Sequence, residues 1–444
     1  MEGLSTEHIS KHFSHIRSHL RTHRPRSKRY GKVSTVIGTI IECTGLEACV
    51  GEIFGIHTIT GKIVEAEVVG LQEERTLLMP YDRVEGMKSG CLVESFGQAL
   101  TVPVGEEMLG RVVDANASPI DNLGPLQTSG HQEVQNSPPA PLERNRIDDI
   151  MFTGIRALDS LNTIGSGQRV GLFAGSGVGK SVTLGMIAKH SEADINVIAL
   201  IGERGREVQE FIEDTLGDEG MKRSVVVAVT SDMAAMSRIK GAFTATAIAE
   251  YFRDQGKNVL LMMDSVTRVA MAQREIGLAS GEPPTTKGYT PSVFAILPKL
   301  LERAGKTSKG SITGIYTVLV DNDDMNEPIA DAVRSILDGH IVLSRRLAHK
   351  NHYPAIDILE SISRVMPNIV TNEQRAVSMK ARELLATYRE AEDLVNIGAY
   401  VKGSNPKIDE AIRKHPKLES FLIQDMNEAD FSSDIWSELK KIVD

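Results

Sequence analysis

Ala174-Gly175-Ser176-Gly177-Val178-Gly179-Lys180-Ser181 has the residue types and order of a phosphate-binding loop. It departs from the strict G-x-x-x-x-G-K-S form only in opening with alanine. The glycines let backbone N–H groups turn inward around phosphate oxygens, where side chains would obstruct them. Lys180 would reach the β and γ phosphates, and the Ser181 hydroxyl would ligand Mg²⁺. A helix running on through Val182 would point its positive end at the anion. The chemistry of such a loop is nucleotide binding and phosphoryl transfer, with Mg²⁺ as the expected metal.

Two carboxylates are candidates to work with the loop. Asn258 to Asp264 is an apolar run ending in an acid. Alone it reads more readily as a strand-end turn or a helix cap; sharing a sheet with the loop makes Asp264 a candidate for the magnesium shell. Glu203, in Gly202-Glu203-Arg204-Gly205-Arg206-Glu207, directly follows the apolar run 195–201. Open α/β sheets place ligands at the C-terminal ends of strands, so this acid is placed to orient or deprotonate water. Glu207 and Glu210 are rivals, on the surface of the ensuing helix.

These groups need a frame. Candidate strands at 168–174, 195–201, 224–230, 258–264, 312–320 and 340–344 alternate with helical stretches such as 180–191 and 234–253. That pattern predicts an α/β fold of parallel βαβ units, with helices on both faces of the sheet. Upstream, residues 31–97 carry short β-type runs with glycine about every ten residues, which predicts a small antiparallel barrel or sandwich. Residues 114–145, rich in Pro, Asn, Asp, Ser and Gly, read as an irregular surface connection. After about Pro367 the spacing turns helical, with breaks at Gly398 and Gly403. The expected parts are an arm (1–30), a barrel (31–97), a nucleotide-binding domain (98–367) and a C-terminal helical domain (368–444).

The 444 residues exceed a single typical domain, and 41% hydrophobic with 25% charged residues is a soluble globular profile. No apolar run approaches the roughly 18–20 residues needed to cross a bilayer. Cys43, Cys49 and Cys91 form no CxxC pair, so a reducing compartment is expected and all three read as small buried hydrophobes. The net charge of −9 is uneven: residues 1–32 carry +6, leaving −15 elsewhere. Ile9, Phe13, Ile16 and Leu20 line one face of a helix in this arm, beside a stripe of His8, His12, His15, His19 and His23. Zinc ligation by that stripe, an organelle transit peptide, a frayed tail and an interaction helix are all readings of it; the last, docking on acidic protein or anionic lipid, is preferred.

The loop, the Gly202–Glu207 segment, Asp264-Ser265-Val266-Thr267-Arg268, Tyr353-Pro354-Ala355-Ile356-Asp357 and Ser361-Ile362-Ser363-Arg364-Val365 occur in the order seen in rotary ATP synthase catalytic subunits. They resemble the type III protein export ATPases more closely, over roughly residues 30–425. Gly281-Glu282-Pro283-Pro284 to Gly288-Tyr289, and Ile397-Gly398-Ala399-Tyr400, resemble the flagellar branch; the virulence-associated branch is chemically the same enzyme.

The resemblance implies a RecA-like sheet, with Glu203 as the catalytic carboxylate and Arg204 near the phosphates. Tyr353, otherwise a core tyrosine before a proline turn, would stack on adenine. Arg364 would be an arginine finger inserted into a neighbouring copy, in a homohexameric ring. The Asp321–Pro328 stretch, by itself a solvated acidic loop, would face a basic coiled-coil stalk protein. The arm would dock a stator-like regulatory protein or anionic phospholipid. Export gate and substrate–chaperone complexes complete the implied partners, at a cytoplasmic site peripheral to the inner membrane. An RNA-translocating termination helicase shares this type of core but needs a basic, aromatic-studded strand site. Phe54, Tyr81 and Phe96 stand beside many acids, so no nucleic-acid partner is expected.

Overall fold

Six antiparallel strands, β1 (Tyr30–Ile37), β2 (Ile40–Thr44), β3 (Ile53–His57), β4 (Ile63–Gln72), β5 (Arg75–Pro80) and β6 (Leu92–Ser95), close into a barrel in the order β1-β2-β5-β4-β3-β6. The computed structural model describes residues 28–96, 100–128, 130–320, 323–429 and 435–444; the arm helix expected upstream lies outside them. Alternation builds the barrel core: Val64, Ala66 and Val68 of β4 point inward with Val33, Ile41, Phe54, Ile56, Leu78 and Val93. Closure leaves no unpaired sheet edge. Cys43 and Cys91 are buried, but Cys49 is exposed, correcting the expectation that all three are core. Its turn lies between strands, outside the alternating inward positions. Phe54 is fully buried in the barrel core, so its ring is not open for base stacking.

Tyr81–Arg83 and Leu100–Asp444 form a second compact unit. Its sheet contains β8 (Val112–Val113), β10 (Arg169–Ala174), β11 (Ile195–Ile201), β12 (Ser224–Val229), β13 (Asn258–Asp264), β15 (Ser311–Leu319), β16 (Gly339–Leu343) and β17 (Ile362–Ser363). The order is β17-β16-β10-β15-β13-β11-β12-β8, and a short β14 (Gly305–Lys306) pairs with β15. All pairs from β16 to β8 are parallel. The strands are nearly continuous in Val, Ile, Leu and Met because helices cover both faces. The helix Ala235–Asp254 packs Ile239, Ala242, Ala245 and Ile248 inward.

The 114–145 stretch is less irregular than its composition predicts. β9 (Gly130–Glu133) pairs there with β7 (Thr101–Val104). A buried ion pair anchors the chain just past β9. Arg303 is 0% exposed and grips Glu250 through Nε (2.9 Å) and Nη2 (2.6 Å), while its Nη1 donates to the Val134 carbonyl at 2.7 Å.

The helices Asn372–Asn396 and Pro406–Leu422 are joined through Gly398 and Gly403, both in the left-handed region. With Ile435–Val443 they share one continuous core with the sheet, Leu384, Leu418 and Trp436 joining Leu158, Ile187 and Ile356. Among the described residues no helix is long and apolar enough to cross a membrane.

Candidate active site

The phosphate loop leaves β10 at Ala174, which lies level with Leu319 of β15 and Leu343 of β16. Gly177 (φ 75°) and Gly179 (φ 88°) adopt the left-handed backbone that the sharp turn requires. Gly179 then caps the helix Lys180–His190, whose free N–H groups face the loop. Ser181 and Val182 lie on the exposed side of the first turn.

β13 delivers Asp264 beside this turn. Asp264 Oδ1 accepts from Lys180 Nζ at 2.6 Å and from Thr317 Oγ1, on the adjacent β15, at 2.7 Å. β11 pairs with β13 so that Leu200 faces Asp264, which brings Glu203 to the same edge. Glu203 Oε1 stands 3.6 Å from Lys180 Nζ and is buried without a hydrogen-bond partner. Burial raises the Glu203 carboxyl to about 7, with the Asp264 charge adding and Lys180 and Arg268 opposing.

Arg268 closes the Asp264–Arg268 motif, and its sequence position alone assigns it no role. Its Nε is buried without a partner and its charge acts on Glu203. Its stem also requires Gly202: a Cβ there would lie 2.9 Å from Arg268 Cβ, at φ 73°. The available signal was its place one helical turn past Asp264.

Tyr353, in the segment that follows β16, lies against the loop. Two ring carbons lie 3.3 and 3.4 Å from the position a Cβ on Gly179 would take, and the residue keeps 37% exposure. Its carbonyl accepts from Gln424 N at 2.9 Å. The buried Gln424 side chain also donates to the Gly154 carbonyl and accepts from Arg156 N, tying the C-terminal helices to the loop side of the sheet. Sequence reasoning missed Gln424 and Thr317, because nothing local marks a glutamine or threonine as a partner of distant residues.

The remaining candidates lie elsewhere. The Arg204 side chain is 77% exposed and pairs with Glu207 at 3.4 Å, so it does not join the Lys180 cluster. Glu210 pairs with Arg206 at 3.4 Å on the surface. Glu210 is thus solvent-side, whereas half-buried Glu207 also contacts the Glu203 carboxyl and helps to raise it.

A family model described as the ATP synthase alpha/beta family, nucleotide-binding domain, matches residues 154–363, and one described as the T3SS EscN ATPase C-terminal domain matches 370–441. The chain is 60% identical over 405 residues to the flagellum-specific ATP synthase of Bacillus subtilis, covering 90% of this chain and 92% of the relative. The chain belongs to the flagellum-specific and type III secretion ATPases. It is 50% identical to the type 3 secretion system ATPase of Xanthomonas euvesicatoria, with 89% and 90% covered. The solved structure of the assembled ATPase EscN in complex with its central stalk EscO, from the enteropathogenic E. coli type III secretion system, superposes with TM-score 0.86 at 47% identity. The match covers 93% of this chain and 100% of that one.

ATP hydrolysis is the chemistry of this ATPase. One expected participant stands far from the loop. β17 runs antiparallel to β16 with Ser363 opposite Gly339, and Arg364 N donates to the Asp338 carbonyl at 3.0 Å. Asp338 N in turn bonds the carbonyl of Arg169, where β10 begins. The loop lies past the other end of β10, about 16 Å on at roughly 3.3 Å per residue. The Arg364 guanidinium is exposed and makes no hydrogen bond or ion pair among the described residues.

Proposed function

We propose that this ATPase is the hydrolytic subunit of a flagellar type III export machine, working as a homohexamer whose sites are shared between neighbours. The carrying observation is Arg364: its guanidinium, unpartnered among the described residues and one sheet-length from its own phosphate loop, supports action on another copy's. A head-to-tail contact of this kind generates a ring when its rotation closes.

Within each site, Ala174–Val182 cradles the phosphates, Lys180 leaves Asp264 for the β and γ oxygens, and Tyr353 stacks on adenine. Glu203 takes a proton from the attacking water, and the neighbour's Arg364 meets charge developing on the transferred phosphoryl group. Arg268 is a second cation at this edge; Arg204 would have to turn inward to join it. Ser181 and Asp264 suit Mg²⁺, which takes oxygen ligands and keeps few protein partners; bound there it would neutralise phosphate charge.

The flagellar assignment is supported by 60% and 54% identity to the Bacillus subtilis and Treponema pallidum relatives against 50% to the Xanthomonas one, with other flagellum-specific relatives at 47–50%. A basic coiled-coil stalk in the ring pore is supported by the EscN–EscO complex and by the acids near Asp323. A stator-like protein or anionic lipid at the arm, an export gate with substrate–chaperone complexes, a cytoplasmic place at the inner membrane and the four-part division of the chain complete the proposal.

The test is ATPase rate against protein concentration, with particle mass measured in parallel. Activity should rise cooperatively as hexamers form; a fully active monomer would exclude shared sites.

A further inference from the structure

Arg345 and Asp323 meet over Gly175, the first glycine of the phosphate loop, and neither has a part in the chemistry above. Strand order brings them there. β10 lies between β15 and β16, so the loop is flanked by the chain leaving each neighbour. Arg345 follows β16 by two residues and Asp323 follows β15 by four. The position a Cβ on Gly175 would take lies 2.8 Å from Arg345 Nη2 and 2.8 Å from Asp323 Oδ1, so both side-chain ends lie against the backbone of the loop's first glycine. The two groups are 3.7 Å apart, and Arg345 Nε is buried without a hydrogen-bond partner. Eight residues further along the same segment, Tyr353 lies against Gly179. The segment from Arg345 to Tyr353 therefore touches the loop at both ends.

We propose that Arg345 is a positioning residue for the phosphate loop, and that Asp323, reaching in from the acidic loop, sets how strongly it acts. The guanidinium adds positive charge beside backbone that must hold a polyanion, and the carboxylate partly offsets it. A cation that engages Asp323 from outside leaves Arg345 unopposed and tightens the loop's hold on phosphate. Linkage makes this reciprocal: nucleotide in the pocket favours the cation at the acidic loop. Only the identity of that cation, a basic stalk, rests on the proposed function; the charge pair does not.

The test is a double-mutant cycle on the full chain, read as the dissociation constant of a fluorescent ATP analogue with Mg²⁺, alongside kcat and KM. Arg345→Gln should weaken binding about tenfold with kcat little changed, and Arg345→Lys should recover most of the loss. Asp323→Asn should tighten binding about threefold in the parent and have no effect once Arg345 is Gln. Asp324→Asn, next in the chain but 3.7 Å from Lys287 instead, should leave affinity as it was.

An Asp323→Asn effect that persists without Arg345, or that Asp324→Asn reproduces, would reduce the pair to a general field and overturn the proposal. Weaker binding in Asp323→Asn would overturn it too, because the pair would then only brace the loop. If Arg345→Gln does not fold, Arg345→Met, which keeps the apolar stem and removes the charge, carries the cycle. Loss of hydrolysis in every protein with this affinity pattern intact would sink the proposed function and leave the inference standing.

Discussion

Lys180 donates to Asp264 at 2.6 Å while its Nζ stands 3.6 Å from Glu203, so one ammonium serves two largely buried carboxylates. Asp264 takes the shorter contact, and burial, with the Asp264 charge adding, holds the second acid partly protonated against Lys180 and Arg268. Glu203 is that second acid, with an unpaired oxygen facing the loop edge. Its deprotonated fraction is a stronger base than an ordinary carboxylate and is suited to take a proton from water.

Glu203→Gln should therefore keep ATP affinity within about threefold and lower kcat by about 10²–10⁴, the usual yield of general base catalysis. Single-turnover hydrolysis beside a nucleotide-binding titration would check it. A variant that still releases phosphate at the parental rate would remove Glu203 from the chemistry.

The Glu203 carboxyl, raised by burial from 4.5 to about 7, predicts an acid limb in kcat/KM. Below about pH 7 the group carries its proton and cannot accept another, so kcat/KM should fall towards tenfold per unit. Stability without nucleotide has the opposite sign. Between 4.5 and about 7 the folded state binds a proton that the unfolded chain releases, so this group's contribution declines as pH rises through that window. Melting curves across pH should show a shallower decline in Glu203→Gln than in the parent, because buried Asp159, also raised to about 7, keeps its own share.

Arg364→Ala should lower hydrolysis in the assembled ring by about 10³ or more, with nucleotide affinity retained. Mixing decides between own-site and neighbour-site action. A ring of Arg364→Ala and Glu203→Gln subunits contains some sites with an intact Glu203 on one copy and an intact Arg364 on the next. Activity should reappear on mixing two dead proteins. No recovery in rings shown to be mixed by mass would refute the shared site.

Tyr353→Ala should weaken nucleotide binding by about 1–3 kcal/mol, the range for stacking a base on an aromatic ring, while Tyr353→Phe should stay close to the parent. Calorimetry with an ATP analogue reads both. Equal losses in the two variants would point to the hydroxyl rather than the ring face.

Arg303→Ala should cost about 3–5 kcal/mol of stability, because Glu250 would remain buried without its cation. Both side chains are essentially inaccessible, at 0% and 1% exposure. Urea unfolding measures the change, and a loss below about 1 kcal/mol would mean that water enters to replace the guanidinium.

The sheet strands and the phosphate loop were legible because their signals are local. Continuous apolar runs mark strands covered on both faces, and glycines before a lysine and a helix mark an anion cradle. Glu203 and Asp264 could be read as well, since each ends an apolar run. Only the folded chain joined Thr317 to Asp264, Gln424 to Tyr353, and Arg345 with Asp323 to Gly175, because each contact spans residues with no fixed spacing in the chain. Tertiary structure alone also separated Arg364 from its own loop. Sequence order says that an arginine follows the strand pair; strand direction decides which end of the sheet it occupies, and antiparallel pairing of β17 puts it opposite the site.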